Sequence, residues 1–154
     1  MEISACTTQK DFSEALTLVR DYIQWLDMDL SFQDIHRELA GFSRMYSPPA
    51  GLFLLARSQG RSAGGVGFRT LSPRVCEMKR LFVYDAFRGQ GVGRHLCNSL
   101  IQAARSAGFE RMRLDTLERM THALKLYQAL GFTPIAPYCF NPDPTAQYLE
   151  LCLA

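Results

Sequence analysis

The stretch FRGQGVGRHL, residues 87–96, places glycine at 89, 91 and 93 and then runs directly into an apolar helical pattern. A turn that ends a strand and opens a helix exposes several backbone N–H groups beside the positive end of the helix dipole, which makes an anion cradle. Glycine lets main chain approach phosphate oxygens with no Cβ in the way, and Arg88 and Arg94 add charge on either side. The P-loop pattern needs G-K-[ST], and this turn contains no lysine. The dinucleotide fingerprint G-x-G-x-x-G fails in both registers, since Gly89 and Gly91 lead to Arg94, and Gly91 and Gly93 lead to Leu96. What remains is R-x-x-G-x-G, carried by Arg88, Gly91 and Gly93 and preceded by the apolar strand LFV.

The rest of the chain narrows what can surround this turn. With 154 residues and 47% apolar side chains, it predicts one domain, residues 1–154, with a single sizeable core. The opening MEISACTTQKDF has no apolar signal region, and no apolar run approaches the roughly 18 residues of a membrane span, so a cytoplasmic protein without membrane contact is expected. Five scattered cysteines, none in C-x-x-C spacing, suggest neither a disulfide frame nor a zinc site. His36, His95 and His122 form no ligand spacing either, and no metal is expected. The net charge of +2 is uneven: residues 1–60 carry five basic and eight acidic side chains, residues 74–113 eight basic and three acidic. That asymmetry is compatible with an anionic ligand in the middle of the chain and a cationic one near its start, and equally with ordinary scatter.

Periodicity places the elements. EISAC reads as a short strand, followed by a helix with Phe12, Leu16, Val19, Ile23 and Leu26 on one face. A second helix is predicted with Ser31 as N-cap and Phe32, Ile35, Leu39 and Phe42 as its stripe, stopped by SPPAG. GLFLLARS and SAGGVGFRTL read as a hairpin around QGR, with Gly64, Gly65 and Gly67 marking bulges or close approaches. RVCEMKRLFVY is a longer strand. After the glycine turn come a helix bearing Val92, Leu96, Leu100 and Ala104 and capped by Gly108, the strand RMRLDTL, and the helix MTHALKLYQAL stopped by Gly131. TPIAPY and QYLELCL close the chain as strands. The order βααβββαβαββ contains two strand–helix–strand crossovers, so an α/β (α+β) fold with a mixed sheet and helices on its faces follows.

These features together resemble the GNAT superfamily of N-acetyltransferases. R-x-x-G-x-G at Arg88, Gly91 and Gly93 matches its coenzyme-binding motif, Leu126, Tyr127, Leu130, Gly131 and Phe132 match its L-Y-x-x-L-G-F helix end, and the element order matches across essentially the whole chain. The resemblance implies a mostly antiparallel, twisted sheet of about seven strands with four flanking helices. It also implies acetyl-CoA as cofactor, its pyrophosphate held by Arg88, Gly89, Gln90, Gly91, Val92, Gly93 and Arg94, and its pantetheine arm bonded to main chain of Leu81, Phe82 and Val83. One departure stands out: many members carry an asparagine seven residues before the tyrosine, where this chain has Met120.

Acetyl transfer from a thioester to a primary amine needs a neutral amine, a polarised carbonyl and a proton for the departing thiolate. A primary amine has a pKa near ~10.4 and a thiol near ~8.5, so two proton carriers are wanted. By the resemblance, the Tyr127 hydroxyl points at the coenzyme sulfur and acts as the acid. Glu77 is the candidate base, because a glutamate on this strand serves so in several relatives and partial burial would raise its pKa; the alternative is an ion pair with Lys79, Arg80 or Arg113. The acceptor would be a primary amine of a small molecule or protein, attacking directly in a ternary complex. By the same resemblance it enters between the first two helices and the final strands, which supply Tyr22, Trp25, Asp27, Asp29, Asp34, Tyr138 and Phe140. Cys76 and Cys97 have no nearby histidine and are not marked as nucleophiles. The runner-up reading is a non-catalytic acyl-CoA-binding or partner-binding domain on the same fold. Nucleic acid is disfavoured, since aromatics are not interleaved with the arginines, and an exposed final strand leaves room for a homodimer.

Overall fold

The structure, a computed structural model, describes residues 1–31 and 34–154. It opens with β1 (Glu2–Ala5) and α1 (Gln9–Leu26), the latter started by a capping box in which Thr8 and Asp11 satisfy each other's backbone N–H groups. The predicted second helix is two: α2 (Ile35–Ala40) and α3 (Phe42–Met45), broken at Gly41. Ser31 is not its N-cap; that position is Asp34, in the left-handed conformation and without a side-chain cap. Phe32, one of the predicted stripe residues, lies outside the described residues.

The hairpin of β2 (Gly51–Ser58) and β3 (Arg61–Ser72) turns on Gln59 and Gly60, both at positive φ, as the twist of paired strands favours. Then follow β4 (Val75–Val83), a single 3-10 turn (Asp85–Phe87), α4 (Val92–Ser106), β5 (Arg111–Leu117), α5 (Thr121–Leu130), β6 (Thr133–Pro134) and β7 (Ala146–Cys152). Strand TPIAPY shrinks to two residues, because Pro134 and Pro137 offer no N–H to a ladder. Among the described residues there are thus seven strands and five helices rather than four. Sheet order is β1-β2-β3-β4-β5-β7-β6, antiparallel throughout except for the parallel β4–β5 pair. The final strand β7 lies between β5 and β6, so it is not the open edge that pairing with a second copy was expected to use. No helix among the described residues is long and apolar enough to cross a membrane.

Strand alternation gives the sheet two different faces. Leu54, Ala56, Val66, Cys76, Met78, Met112, Leu114 and Leu149 pack with Leu96, Leu100 and Tyr127 from α4 and α5 into one apolar core. On the other face, Phe53, Leu55 and Phe82 pack with Leu18 and Val19 of α1 and with Phe42 and Tyr46.

At the centre of this second face β4 departs from regular geometry. Lys79 pairs with Gly67 and Phe82 with Gly65, so β4 advances three residues while β3 advances two. The extra residue forms a bulge at Arg80, whose φ is +64°, a conformation that costs a non-glycine residue about 1–2 kcal/mol. Its guanidinium is tied bidentately to Glu38 of α2, Nε to Oε2 at 2.9 Å and NH2 to Oε1 at 2.8 Å, and Tyr46 donates its hydroxyl to the same Oε2 at 3.0 Å. Both charged side chains are almost fully buried. Burial pushes the Glu38 carboxyl up, but Arg80, Lys79 and Tyr46 outweigh it and hold the group below its ordinary range. Opposite the bulge only glycine fits at 67, since a Cβ there would stand 2.7 Å from Phe53 and 2.8 Å from Tyr46. The close approach that the glycines of β3 signalled is therefore real.

Two stability predictions follow from this centre. Glu38→Leu strands a buried guanidinium and is expected to lower the unfolding free energy by about 3–5 kcal/mol, read from urea midpoints. Since the folded carboxyl titrates below its unfolded value, the pair stabilises above the unfolded pKa and loses that contribution as pH falls through the folded one. Wild-type stability should then fall more steeply on acidification than that of the variant, and parallel pH profiles would contradict the role given to the pair. Gly67→Ala is expected to cost about 1–3 kcal/mol by overpacking, with an unchanged midpoint as the contrary result.

Candidate active site

The parallel pairing of β4 with β5 runs only through Val75/Arg111, Cys76/Met112 and Glu77/Arg113. Beyond it the two strands diverge, although β4 continues to Val83 and β5 to Leu117. The splay opens a groove of about 400 Å³ lined by Leu81, Phe82 and Val83 on one side and by Thr121, Ala123 and Leu126 on the other.

One end of the groove is the glycine turn. Gly89 and Gly91 have φ of +77° and +79°, and Gly91 is the N-cap of α4. No side chain caps this helix, and its first helical hydrogen bond runs from His95 N–H to Gly91 O, so the N–H groups of Val92, Gly93 and Arg94 precede the ladder. Gly89, Gly91, Val92 and Gly93 line the groove.

The arginines of the motif behave differently from the backbone. Arg88 reaches back along β4, donating Nε–H to Val83 O at 2.9 Å, with its guanidinium 5.0 Å from the Trp25 ring centroid and 5.6 Å from that of Phe82. Gln90 donates to Ala86 O, and Arg94 is exposed; neither lines the groove. The basic excess of residues 74–113 goes largely into ion pairs, Arg74 with Glu110, Arg80 with Glu38, Arg88 with Asp85, and Arg111 and Arg113 with Glu150. Anion attraction at this turn thus rests first on backbone N–H groups.

The groove leads into a smaller pocket of about 80 Å³, and Leu81, Met120 and Ala123 line both. Tyr127 lies here, buried, its ring 5.7 Å from that of Phe132. Burial pushes its phenol well above the ordinary value, with Cys97, Tyr22 and Asp115 adding to the shift, so the hydroxyl keeps its proton at neutral pH. Lys79, Arg80, Asp115 and Asn141 supply the polar lining.

Glu77 is not among the lining residues. Its Oε1 accepts from Arg69 Nε at 2.8 Å and its Oε2 from the Tyr138 hydroxyl at 2.6 Å, while Lys79 Nζ stands 3.6 Å from Oε1. Burial pushes the carboxyl up, but Lys79, Tyr138 and Arg69 prevail and its pKa lies below the ordinary range, contrary to the expected rise. Its partner across the sheet is Arg69, directly opposite in register, a pairing the sequence spacing did not bring out.

Of the expected acceptor residues, Tyr22 lines the pocket and Trp25 the groove, and Tyr138 holds Glu77. Asp27, Asp29, Asp34 and Phe140 are exposed and line neither cavity. Asp115 and Asn141 were missed. Alternation in RMRLDTL already sets Asp115 opposite the core residues Met112 and Leu114, but its meeting with Lys79 depends on the register of two distant strands. Glu77, Asp115 and Cys139 bring ligand atoms within 4.8 Å of one another, yet both Glu77 oxygens are engaged and burial pushes the Cys139 thiol up to about 11, which suits a metal poorly. Burial likewise pushes the thiols of Cys76 and Cys97 up to about 12, leaving neither as a ready thiolate.

Comparison with known proteins agrees with this architecture. The family model described as the acetyltransferase (GNAT) family matches residues 16–132. An uncharacterized N-acetyltransferase of Schizosaccharomyces pombe is 39% identical over 98% of this chain and 94% of its own length. The crystal structure of an acetyltransferase from Streptococcus agalactiae superposes with a TM-score of 0.79 at 22% identity, covering 98% of this chain and 97% of that one. The PaiA N-acetyltransferase of Thermoplasma acidophilum, solved with coenzyme A, superposes with a TM-score of 0.75 at 16% identity over 99% of each chain. With the family model matched over most of its length and a relative 39% identical across nearly all of it, the chain is a member of the acetyltransferase (GNAT) family.

Proposed function

We propose that residues 1–154 act as one N-acetyltransferase domain that moves the acetyl group of acetyl-CoA to a primary amine by direct attack in a ternary complex. The observation that carries this reading is the pair of adjoining cavities, walled in common by Leu81, Met120 and Ala123, that reach from the uncapped start of α4 to Tyr127. The N–H groups of Val92, Gly93 and Arg94 would hold the pyrophosphate, with the helix dipole favouring its charge. Main chain of Leu81, Phe82 and Val83, freed from β5 by the splay, would bond the pantetheine arm. Arg88 occupies one lone pair of Val83 O, which leaves the other for the arm, and on release its guanidinium can turn toward the phosphates.

In the transfer step the amine nitrogen bonds to the acetyl carbon as the carbon–sulfur bond breaks. Tyr127 is assigned to protonate the departing thiolate. The ammonium proton has two carboxylates to consider, and Asp115 lines the pocket while Glu77 is clasped by Arg69 and Tyr138. We therefore assign proton acceptance to Asp115, directly or through water, and to Glu77 the positioning of Lys79 and Tyr138. The non-catalytic alternative predicts coenzyme binding without thiol release.

Two measurements test the reading. Calorimetric titration with acetyl-CoA should show micromolar binding that Gly91→Asp weakens at least about tenfold, by placing a carboxylate against the phosphates. Tyr127→Phe should leave that binding within about threefold and slow thiol release by about 10²-fold, the usual contribution of a general acid. No binding at millimolar coenzyme, or an unimpaired Tyr127→Phe enzyme, would contradict it.

A further inference from the structure

The polar half of the sheet floor, formed by β3, β4, β5 and β7, carries charges that are largely paired. Arg69 pairs with Glu77, Arg80 with Glu38, and Arg111 and Arg113 with Glu150. Two charges are matched less completely. The Lys79 side chain is only 7% exposed, yet its ammonium makes no hydrogen bond to the described residues. Its nearest carboxylate oxygen, Glu77 Oε1 at 3.6 Å, is the one that Arg69 already holds at 2.8 Å. Asp115 accepts one hydrogen bond, from Asn141 Nδ2 to Oδ2 at 3.1 Å, and its other oxygen has no hydrogen-bond partner among the described residues. Asn141 is itself oriented by Asp143, whose N–H donates to Asn141 Oδ1 at 3.0 Å.

Register explains why Lys79 and Asp115 do not neutralise each other. Glu77/Arg113 is the last pair of the β4–β5 ladder, and Lys79 and Asp115 are the next residues on the same face of each strand, at the point where the strands separate. They therefore confront each other across the opening of the splay, and no ion pair joins them. Both line the pocket that holds Tyr127. An ammonium buried beside the Arg80 guanidinium without a hydrogen-bonding anion is costly, and a ligand anion would relieve it.

We propose that the acceptor is a small amine that also carries a carboxylate, in form a free α-amino acid, with its ammonium on Asp115 and its carboxylate on Lys79. The assignment rests on the acetyl-transfer reading and specifies its acceptor. Asp115 and Tyr127 line the same pocket, so an amine held on Asp115 lies beside the phenol assigned to the departing sulfur. Lys79 holds the other end and fixes which nitrogen attacks. A buried cation that only leans on a shared carboxylate, with no hydrogen bond of its own, also selects against amines lacking the anion, because binding those leaves the cost in place.

The test compares free α-amino acids with the matching α-amino amides, which keep the amine and replace the carboxylate by a neutral carboxamide. Thiol release from acetyl-CoA should favour the acids by about 10–100-fold in kcat/KM, the range expected of one charged hydrogen bond. Lys79→Met should bring the acid-to-amide ratio to within about threefold of one, mainly through KM for the acids, and Lys79→Arg should restore part of the preference. Amides that turn over as well as acids, a Lys79→Met enzyme slowed equally on both, or acetylation confined to amines without a carboxylate would each overturn the acceptor assignment while leaving acetyl transfer intact. A second readout, calorimetric titration of the amino acids into coenzyme A-saturated protein, does not depend on turnover. Binding there that Lys79→Met abolishes supports the site, and no heat with any amino acid overturns it. Failure of the coenzyme itself to bind marks instead the failure of the acetyl-transfer reading.

Discussion

A regular strand would continue its hydrogen-bond ladder along its neighbour, and β4 and β5 would then close over the space that the site needs. The extra residue at Arg80 bends β4, and its left-handed backbone persists because the side chain is clasped by Glu38 from α2 and roofed by Tyr46. This buried ion pair lies far apart in sequence and joins the helical layer to the strand at the point where pairing with β5 has ended. Replacing such a pair by apolar residues is often neutral in stability, so its value here lies in specifying one geometry. The groove and the N–H and C=O groups of residues 81–83 that β5 leaves unpaired lie just beyond that bend.

The two faces of the sheet divide the work. One face is an apolar core that fixes α4 and α5, hence the glycine turn and Tyr127, against the strands. The other face carries a floor of paired charges under residues 138–141, from which Tyr138 and Asn141 reach down to Glu77 and Asp115. Such a floor is expensive to desolvate, and its pairing keeps each group in a single ionisation state. Groups that stay fixed in charge and orientation are suited to holding a charged acceptor, whereas Tyr127 and Asp115, to which we assign the proton transfers, line the pocket where the strands part.

Much of the geometry that we assign to the coenzyme was legible in the sequence. The glycine turn, the helix ending at Gly131 and the position of Tyr127 are local features, each set by residues within one or two turns of chain. The acceptor side was not, because its contacts are set by register and by long-range packing. Nothing in RVCEMKRLFV marks Arg80 for positive φ, and its partner Glu38 sits on a helix whose boundaries the pattern around Gly41 concealed. The sequence offers Glu77 as a base or as an ion-pair partner of Lys79, Arg80 or Arg113, but its hydrogen-bond partners, Arg69 on the antiparallel neighbour and Tyr138 from beyond β6, appear only when the strands are aligned. The exposed acids Asp27, Asp29 and Asp34 lie where the resemblance puts the acceptor, while Asp115 sits in an ordinary alternating strand.

The central claim, that the splay and the glycine turn together receive acetyl-CoA, is tested most directly by amide hydrogen exchange with and without the coenzyme. The account predicts slowed exchange at the N–H groups of residues 81–83 and 91–94, with little change in β1 and β2. Binding accompanied by protection elsewhere, for instance in the open hollow lined by Ser13, Thr17 and Tyr84, with residues 91–94 unaffected, would contradict it.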